Sequence, residues 1–246
     1  MEFKINIKKK YIHSKEDFIN YLKENNKDLD PDKQDENEIY ESIIIVKNYL
    51  TTNVINNILN LEMFKYSLNK LTKINLTAND LTSIPDIFKS LTALNILILN
   101  NNKIEKISNL DNLTKLEKLE LRGNKITKIE NLNNLQNLQK LTLSCNLISI
   151  IEENDIPKID TLTQLGLFGN YLGIENKKYD KGINEENIKQ LKKFSEIIKT
   201  KFKSLKGLYI GGNHFTNLIC DLSNDSNDDN YKNIINSIIS GIIIDG

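Results

Sequence analysis

One phrase of spaced apolar residues and an asparagine recurs six times in this 246-residue chain. Its second copy reads Leu94-x-x-Leu97-x-Leu99-x-x-Asn102-x-Ile104, where x is any residue. The asparagines of the six copies are Asn79, Asn102, Asn124, Asn146, Asn170 and Asn213, separated by 23, 22, 22, 24 and 43 residues. A phrase that returns at such a period predicts a stack of similar units that share one continuous core.

The spacing within the phrase predicts a short strand in each unit. Side chains alternate between the two faces of a strand, so Leu97 and Leu99 point one way while Ile96 and Ile98 point the other. Strands of neighbouring units then stack in parallel. The asparagine follows the strand, where its carboxamide can satisfy backbone groups of the turn and of the adjacent unit. We therefore expect the asparagines to form a buried polar ladder with a structural role.

This phrase is typical of leucine-rich repeats, whose period is about 20–29 residues. The middle copies also carry spaced apolar residues after the asparagine, and in this they resemble the 22-residue repeat class of a regulatory subunit of protein phosphatase 1. These residues are Ile107, Leu110, Leu113, Ile129, Leu132 and Leu135. The resemblance covers roughly residues 68–217. It implies an α/β fold, a curved leucine-rich repeat solenoid with a parallel concave sheet and short helical or 3₁₀ convex segments.

Three segments follow from this pattern. Residues 1–39 are predicted to form an N-terminal strand and helix cap, with a capping box at Ser14 and Asp17, followed by an acidic linker. Residues 40–217 are predicted to form the solenoid of six or seven repeats, with a degenerate first unit around Asn48. The long gap before Asn213 contains apolar residues at helical spacing, which predicts a helical insertion over 183–204. Residues 218–246 are predicted to be a C-terminal cap or tail.

Composition limits the classes of partner. The chain has 33 lysines and arginines and 33 aspartates and glutamates, so its net charge is zero, and this balance argues against nucleic-acid binding. No apolar stretch approaches the length of about 20 residues that spans a bilayer, so no membrane partner is predicted. The two cysteines form no cap cluster, and no secretory signal is evident, which favours an intracellular, cytoplasmic protein.

The outward-facing strand residues form the candidate binding surface. The predicted partner-binding residues are Lys73, Asn75, Ile98, Asn100, Lys118, Glu120, Arg122, Lys140, Thr142, Phe168 and Tyr209. Exposed aromatic and arginine side chains dominate binding hot spots. The alternative is that the helical insertion covers Phe168, that the C-terminal cap covers Tyr209, and that the lysines serve solubility.

The sequence predicts no catalytic residue, metal site or cofactor. Its only histidines, His13 and His214, lie at opposite ends of the solenoid, and Cys145 has no histidine in its own or adjacent repeats. The run Asp28-x-Asp30-x-Asp32 imitates the start of a calcium loop, but Lys33 and Ile39 stand where glycine and glutamate are needed. Enzyme activity is therefore not expected.

The interpretation that fits these observations is a monomeric, non-catalytic module that binds a protein partner on the concave face of its solenoid. Two alternatives stay open. The repeat subclass favours a regulatory subunit of a protein phosphatase, and the ends of the solenoid with the apolar tail favour a self-associating structural scaffold.

Overall fold

Nine parallel strands form one sheet in the computed structural model, which describes residues 2–5, 14–25, 40–45, 50–173, 185–214 and 243–244. The strands are β1 (Glu2–Ile5), β2 (Ser42–Ile45), β3 (Lys73–Asn75), β4 (Ile96–Ile98), β5 (Lys118–Glu120), β6 (Lys140–Thr142), β7 (Gln164–Gly166), β8 (Gly207–Tyr209) and β9 (Ile243–Ile244). Their order in the sheet is their order in the chain. Each unit therefore contacts mainly the units before and after it, as a solenoid requires.

Helices and 3₁₀ turns connect the strands. They are α1 (Lys15–Asn25), α2 (Thr52–Leu59), α3 (Glu185–Lys201) and the 3₁₀ segments Glu62–Phe64 and Asp86–Ser90. The capping box before α1 is confirmed, because the amides of Ser14 and Asp17 each donate to the other side chain at 3.0 Å. In α2 the hydroxyl of Thr51 accepts a hydrogen bond from the amide of Val54. The apolar face of α3 is buried, so this helix adds to the core.

The core consists of leucine and isoleucine side chains in register from strand to strand. The central inward residues are Ile74, Leu97, Leu119, Leu141, Leu165 and Leu208, each paired with the next across the sheet. All six are buried. Burying one such side chain stabilises a fold by about 1.5–3 kcal/mol, so the repeated leucines supply most of the driving force for stacking.

The asparagine ladder is confirmed. The Nδ2 atom of Asn124 donates to the carbonyls of Leu99 at 3.0 Å and Leu121 at 2.9 Å, and its Oδ1 atom accepts from the amide of Ile104 at 3.0 Å. The other five asparagines make the same three bonds in their own repeats. Each carboxamide thus joins its repeat to the preceding one.

The residue before each ladder asparagine has a left-handed backbone. These residues are Ala78, Asn101, Gly123, Cys145, Gly169 and Gly212, with φ between 56° and 69°. Four of these six residues are glycine or asparagine, the types that adopt a left-handed φ most readily, and the other two are Ala78 and Cys145. At Gly123 a Cβ atom would also lie 2.5 Å from Oδ1 of Asn101, so the Asn101 carboxamide would have to move to admit a side chain.

A second row of asparagines on the outer arc was not predicted from the sequence. Asn109 and Asn131 lie seven residues after a ladder asparagine and also have left-handed backbones, with φ of 61° and 59°. The Nδ2 atom of Asn109 donates to the carbonyl of Ile84 at 2.6 Å, and that of Asn131 to the carbonyl of Ile107 at 2.7 Å. The convex side is therefore tied from repeat to repeat as well.

The first unit is joined to the solenoid through Asn79, which donates to the carbonyl of Ile45 and accepts from the amide of Leu50. Asn48 itself lies outside the described residues, as do the predicted acidic linker and most of the predicted C-terminal cap. At the other end β9 pairs with β8 and places Ile243 beside Gly207.

Candidate functional site

The outward side of the sheet carries all the residues predicted to bind a partner. We call it the concave face and define it by the outward residues of β3–β8 and by the next outward residue after each strand. Its central row, aligned by the strand register, is Asn75, Ile98, Glu120, Thr142, Gly166 and Tyr209. Every predicted residue is half-buried or exposed. Lys73 and Asn75, on β3, lie four strands from β7 and are thus remote from Phe168.

A network of polar contacts occupies the middle of the concave face. The Nζ atom of Lys118 lies 2.7 Å from Oε1 of Glu120, and Nδ2 of Asn100 donates to Oε2 of Glu120 at 2.8 Å. The Oδ1 atom of Asn100 accepts from the backbone amide of Arg122 at 2.8 Å. These side chains span β4 and β5, so the network holds them in fixed positions.

The carboxyl group of Glu120 is the acceptor at the centre of this network. Its side chain is only 18% exposed. Burial alone would raise the pKa of Glu120, but hydrogen bonds from Lys118 and Asn100 and the positive charges of Lys118 and Lys140 together hold that pKa below its usual value. Glu120 is therefore a fixed anion at neutral pH, and it neutralises Lys118.

Two cations beside the network, Arg122 and Lys140, form no ion pair with a described residue, although the charge of Lys140 acts on Glu120 at longer range. Among the described residues, the guanidinium group of Arg122 makes no hydrogen bond or ion pair, and neither does the ammonium group of Lys140. Arg122 is exposed and Lys140 is half-buried. Both groups are therefore available to an anionic group from outside the chain.

An open pocket of about 280 Å³ lies on the concave face over β5–β8. It is lined by Arg122, Lys140, Leu141, Thr142, Ser144, Gln164, Gly166, Phe168 and Tyr209. Five of these residues were predicted to bind a partner. Of the other four, Ser144, Gln164 and Gly166 occupy outward positions on or directly after the strands, so strand alternation alone could have identified them, whereas Leu141 belongs to the core. The predicted cationic residues Arg122 and Lys140 and the predicted aromatic residues Phe168 and Tyr209 therefore line one pocket.

The two aromatic side chains of the pocket rest on glycines. A Cβ atom on Gly207 would lie 3.3 Å from the hydroxyl oxygen of Tyr209, and one on Gly212 would lie 3.5 Å from Cζ of Phe168. The side chain of Phe168 is still 45% exposed, so the described part of α3 does not cover it. Tyr209 is half-buried. The segment predicted to cap Tyr209 lies almost wholly outside the described residues.

Other kinds of site are not evident in the described part of the chain. There, no group of three or more histidine, cysteine, aspartate or glutamate side chains is placed to hold a metal ion. No helix among the same residues is both long enough and apolar enough to cross a membrane.

Comparison with known families matches residues 69–126 to a leucine-rich repeat family and residues 114–158 to a family of two-copy leucine-rich repeats. Together with the parallel sheet and the asparagine ladder, these matches decide the fold. The chain forms a leucine-rich repeat solenoid. The matched families are general ones, so the predicted 22-residue phosphatase-regulator subclass stays a prediction.

Two solved structures share the leucine-rich repeat fold with this chain. One is an internalin from Listeria monocytogenes, at 21% identity and a TM-score of 0.52, over 86% of this chain and 55% of the internalin. The other is a TLR13–ssRNA13 complex, also at 21% identity and a TM-score of 0.52, over 71% of this chain and 22% of the other. The solenoid thus spans about half of the internalin and about a fifth of TLR13. No curated protein matches the sequence.

Proposed function

We propose that this leucine-rich repeat solenoid is a non-catalytic module that binds a protein partner on its concave face, with the pocket over β5–β8 at the centre of the interface. One observation carries the proposal. Arg122, a cation with no ion-pair partner among the described residues, and Phe168, an exposed aromatic residue, line the same pocket. Arginine and large aromatic side chains are the residues that most often dominate the free energy of binding.

The rigidity of the face supports this role. Backbone hydrogen bonds join each strand to the next, and the Lys118–Glu120–Asn100 network fixes side chains beside the pocket. Because these groups are ordered before a partner arrives, little conformational entropy is lost on binding. A protein partner that covers the pocket and the network would contact most of the predicted residues of β5–β8.

Affinity capture with mass spectrometry, followed by binding measurements on the captured partner, tests the proposal. The double variant Arg122→Ala/Phe168→Ala should weaken binding by at least about 2 kcal/mol. The control Lys106→Ala/Lys128→Ala, on the outer arc, should bind as the wild type does. If the outer-arc double variant loses affinity for the partner and the concave double variant does not, the interface lies on the convex side of the solenoid.

The same preparation separates the two alternatives. A solution mass that rises with protein concentration would favour a self-associating scaffold, whereas a monomer that holds its partner favours the binding module. Phosphatase activity that co-purifies with the chain, and is lost with the double variant, would identify the partner as a phosphatase.

A further inference from the structure

The charges of the concave face are segregated although the whole chain is neutral. In the three outward rows of β3–β8 there are four cations, Lys73, Lys118, Arg122 and Lys140, and one anion, Glu120. Glu120 is already paired with Lys118. Arg122 and Lys140 both line the pocket, but Lys140 lies opposite Lys118, four residues before Arg122, and its charge acts on Glu120. Arg122 forms no ion pair with a described residue, so the Arg122 end of the pocket favours an anionic group of a ligand over a neutral or cationic one.

The opposite end of the pocket is apolar and shaped by glycine. Gly166, which has no side chain, forms the floor of the pocket beside Thr142. Phe168 lies two residues after Gly166, and Tyr209 lies opposite Gly166 on β8. Space above a glycine between two aromatic rings accommodates a large apolar side chain, and burying such a side chain there removes apolar area of both molecules from water.

The distance between the two ends sets the spacing of the ligand groups. Arg122 follows β5, Phe168 follows β7 and Tyr209 lies on β8, so the two aromatic residues are two and three strands further on. At about 4.8 Å per strand the ends are about 10–14 Å apart. An extended peptide rises about 3.3 Å per residue. Three or four residues of a peptide that crosses the strands therefore span the pocket.

We propose that the pocket recognises an extended peptide segment that places an aspartate or glutamate against Arg122 and a large apolar side chain over Gly166, three or four residues apart. The hydroxyl groups of Thr142 and Ser144 lie between these ends, the carboxamide of Gln164 lines the same pocket, and all three groups can bond the peptide backbone. The inference rests on the proposed function and adds the chemistry of the partner to it.

Selection of a phage-displayed library of random dodecapeptides against the full chain tests this inference. Enriched peptides should carry an acidic residue three or four positions from a large apolar one more often than the starting library does. A synthetic copy of an enriched peptide should bind Arg122→Gln and Arg122→Glu about tenfold or more weaker than wild type. Lys106→Glu, an exposed outer-arc residue, is the control matched in charge to Arg122→Glu and should bind normally.

A double-mutant cycle assigns the contact. Replacing the acidic residue of the peptide by its amide should weaken binding to the wild type by about the same factor as Arg122→Gln does. The same peptide change should weaken binding to Arg122→Gln little further, because the interaction is already lost in that variant. Binding should also weaken as salt is raised. Equal unfolding midpoints of the variants and the wild type would show that the losses are local.

Several results would overturn the inference: no enriched peptide, enrichment without an acidic residue, or undiminished binding to Arg122→Glu. Displacement of a selected peptide by a single-stranded RNA oligonucleotide, with tighter binding of the RNA, would replace a peptide partner by a nucleic acid. The proposed function survives these results if the double variant Arg122→Ala/Phe168→Ala fails to bind a protein that the wild type captures. A captured protein that this double variant binds normally would reject both.

Discussion

The Oδ1 atom of Asn124 accepts a hydrogen bond from the amide of Ile104 at 3.0 Å, so the asparagine of one repeat satisfies the backbone of the repeat before it. The same carboxamide donates to the carbonyls of Leu99 and Leu121. One side chain therefore serves three buried backbone groups in two repeats. This arrangement explains why an asparagine returns at each turn, since no apolar residue can both donate and accept.

Asn124→Leu should destabilise the solenoid by at least about 3 kcal/mol, because three buried groups lose their partner and each unsatisfied group costs about 1–3 kcal/mol. Urea unfolding followed by circular dichroism measures the change. Asn133→Leu is the control, since Asn133 is exposed on the outer arc. An unfolding midpoint for Asn124→Leu equal to that of the control would contradict the role of the ladder.

The outer row of asparagines gives a prediction that separates conformation from hydrogen bonding. Asn131 has φ of 59° and donates to the carbonyl of Ile107. Asn131→Gly keeps access to this backbone conformation but loses the bond, whereas Asn131→Ala loses both. Thermal unfolding should rank the proteins wild type, glycine variant, alanine variant, with about 1–2 kcal/mol between the last two. An alanine variant as stable as the glycine variant would mean that the left-handed backbone relaxes.

Glu120 predicts a pH dependence of stability. Its pKa is held below the usual value of 4.5 by Lys118, Asn100 and Lys140, although burial opposes this shift. A carboxyl group with a lowered folded-state pKa stabilises the fold above its unfolded-state pKa, and the stabilisation is lost as the pH falls through the folded-state pKa. The wild-type protein should therefore be more stable to unfolding than Glu120→Gln at neutral pH, and this difference in stability should disappear as the pH falls below 4.5.

Urea midpoints of both proteins, measured from neutral pH to below 4.5, check this expectation. Glu105→Gln serves as the control, because Glu105 is exposed and its side chain makes no hydrogen bond or ion pair with another described residue. A wild-type minus Glu120→Gln difference that stays constant over the pH range would show that the network does not depend on the charge of Glu120.

Periodic features of the fold could be predicted from the sequence, because they repeat. The spacing of Leu97, Leu99 and Asn102 indicates a strand, a core position and a turn, and five further copies remove the ambiguity of a single match. The second asparagine row was missed although Asn109 and Asn131 hold equivalent positions. Two copies on a variable arc carry a weaker signal than six.

Contacts within the site were harder to predict. Alternation places Lys118, Glu120 and Arg122 on one face, but it does not tell which cation the carboxylate binds. The structure pairs Glu120 with Lys118 and leaves Arg122 without a partner among the described residues. That choice depends on side-chain rotamers and on Asn100 of the neighbouring strand, neither of which a repeat pattern encodes. The pocket likewise depends on glycine positions in two successive repeats, those of Asn170 and Asn213.

Gly166 offers a direct test of the pocket. It occupies the same row of the sheet as Ile98, which shows that this position tolerates a β-branched side chain in another repeat. A Cβ atom on Gly166 would lie 3.2 Å from Oγ of Ser144 and 3.4 Å from Cγ2 of Thr142. The contacts are tight, but the Ser144 hydroxyl can rotate away. Gly166→Ile should therefore fold and fill the floor of the pocket.

We expect Gly166→Ile to weaken binding of a captured partner or selected peptide by about tenfold or more, with an unfolding midpoint close to that of the wild type. Asn133→Ile is the matched control, because it adds the same side chain at an exposed position of the outer arc. Isothermal titration calorimetry measures both affinities. The isoleucine fills the space above the floor and leaves the charge of Arg122 unchanged. A loss of affinity in Gly166→Ile, without one in the control, would therefore show that the apolar side chain of the ligand binds in this pocket. Unchanged affinity in the folded variant would place the interface elsewhere on the concave face.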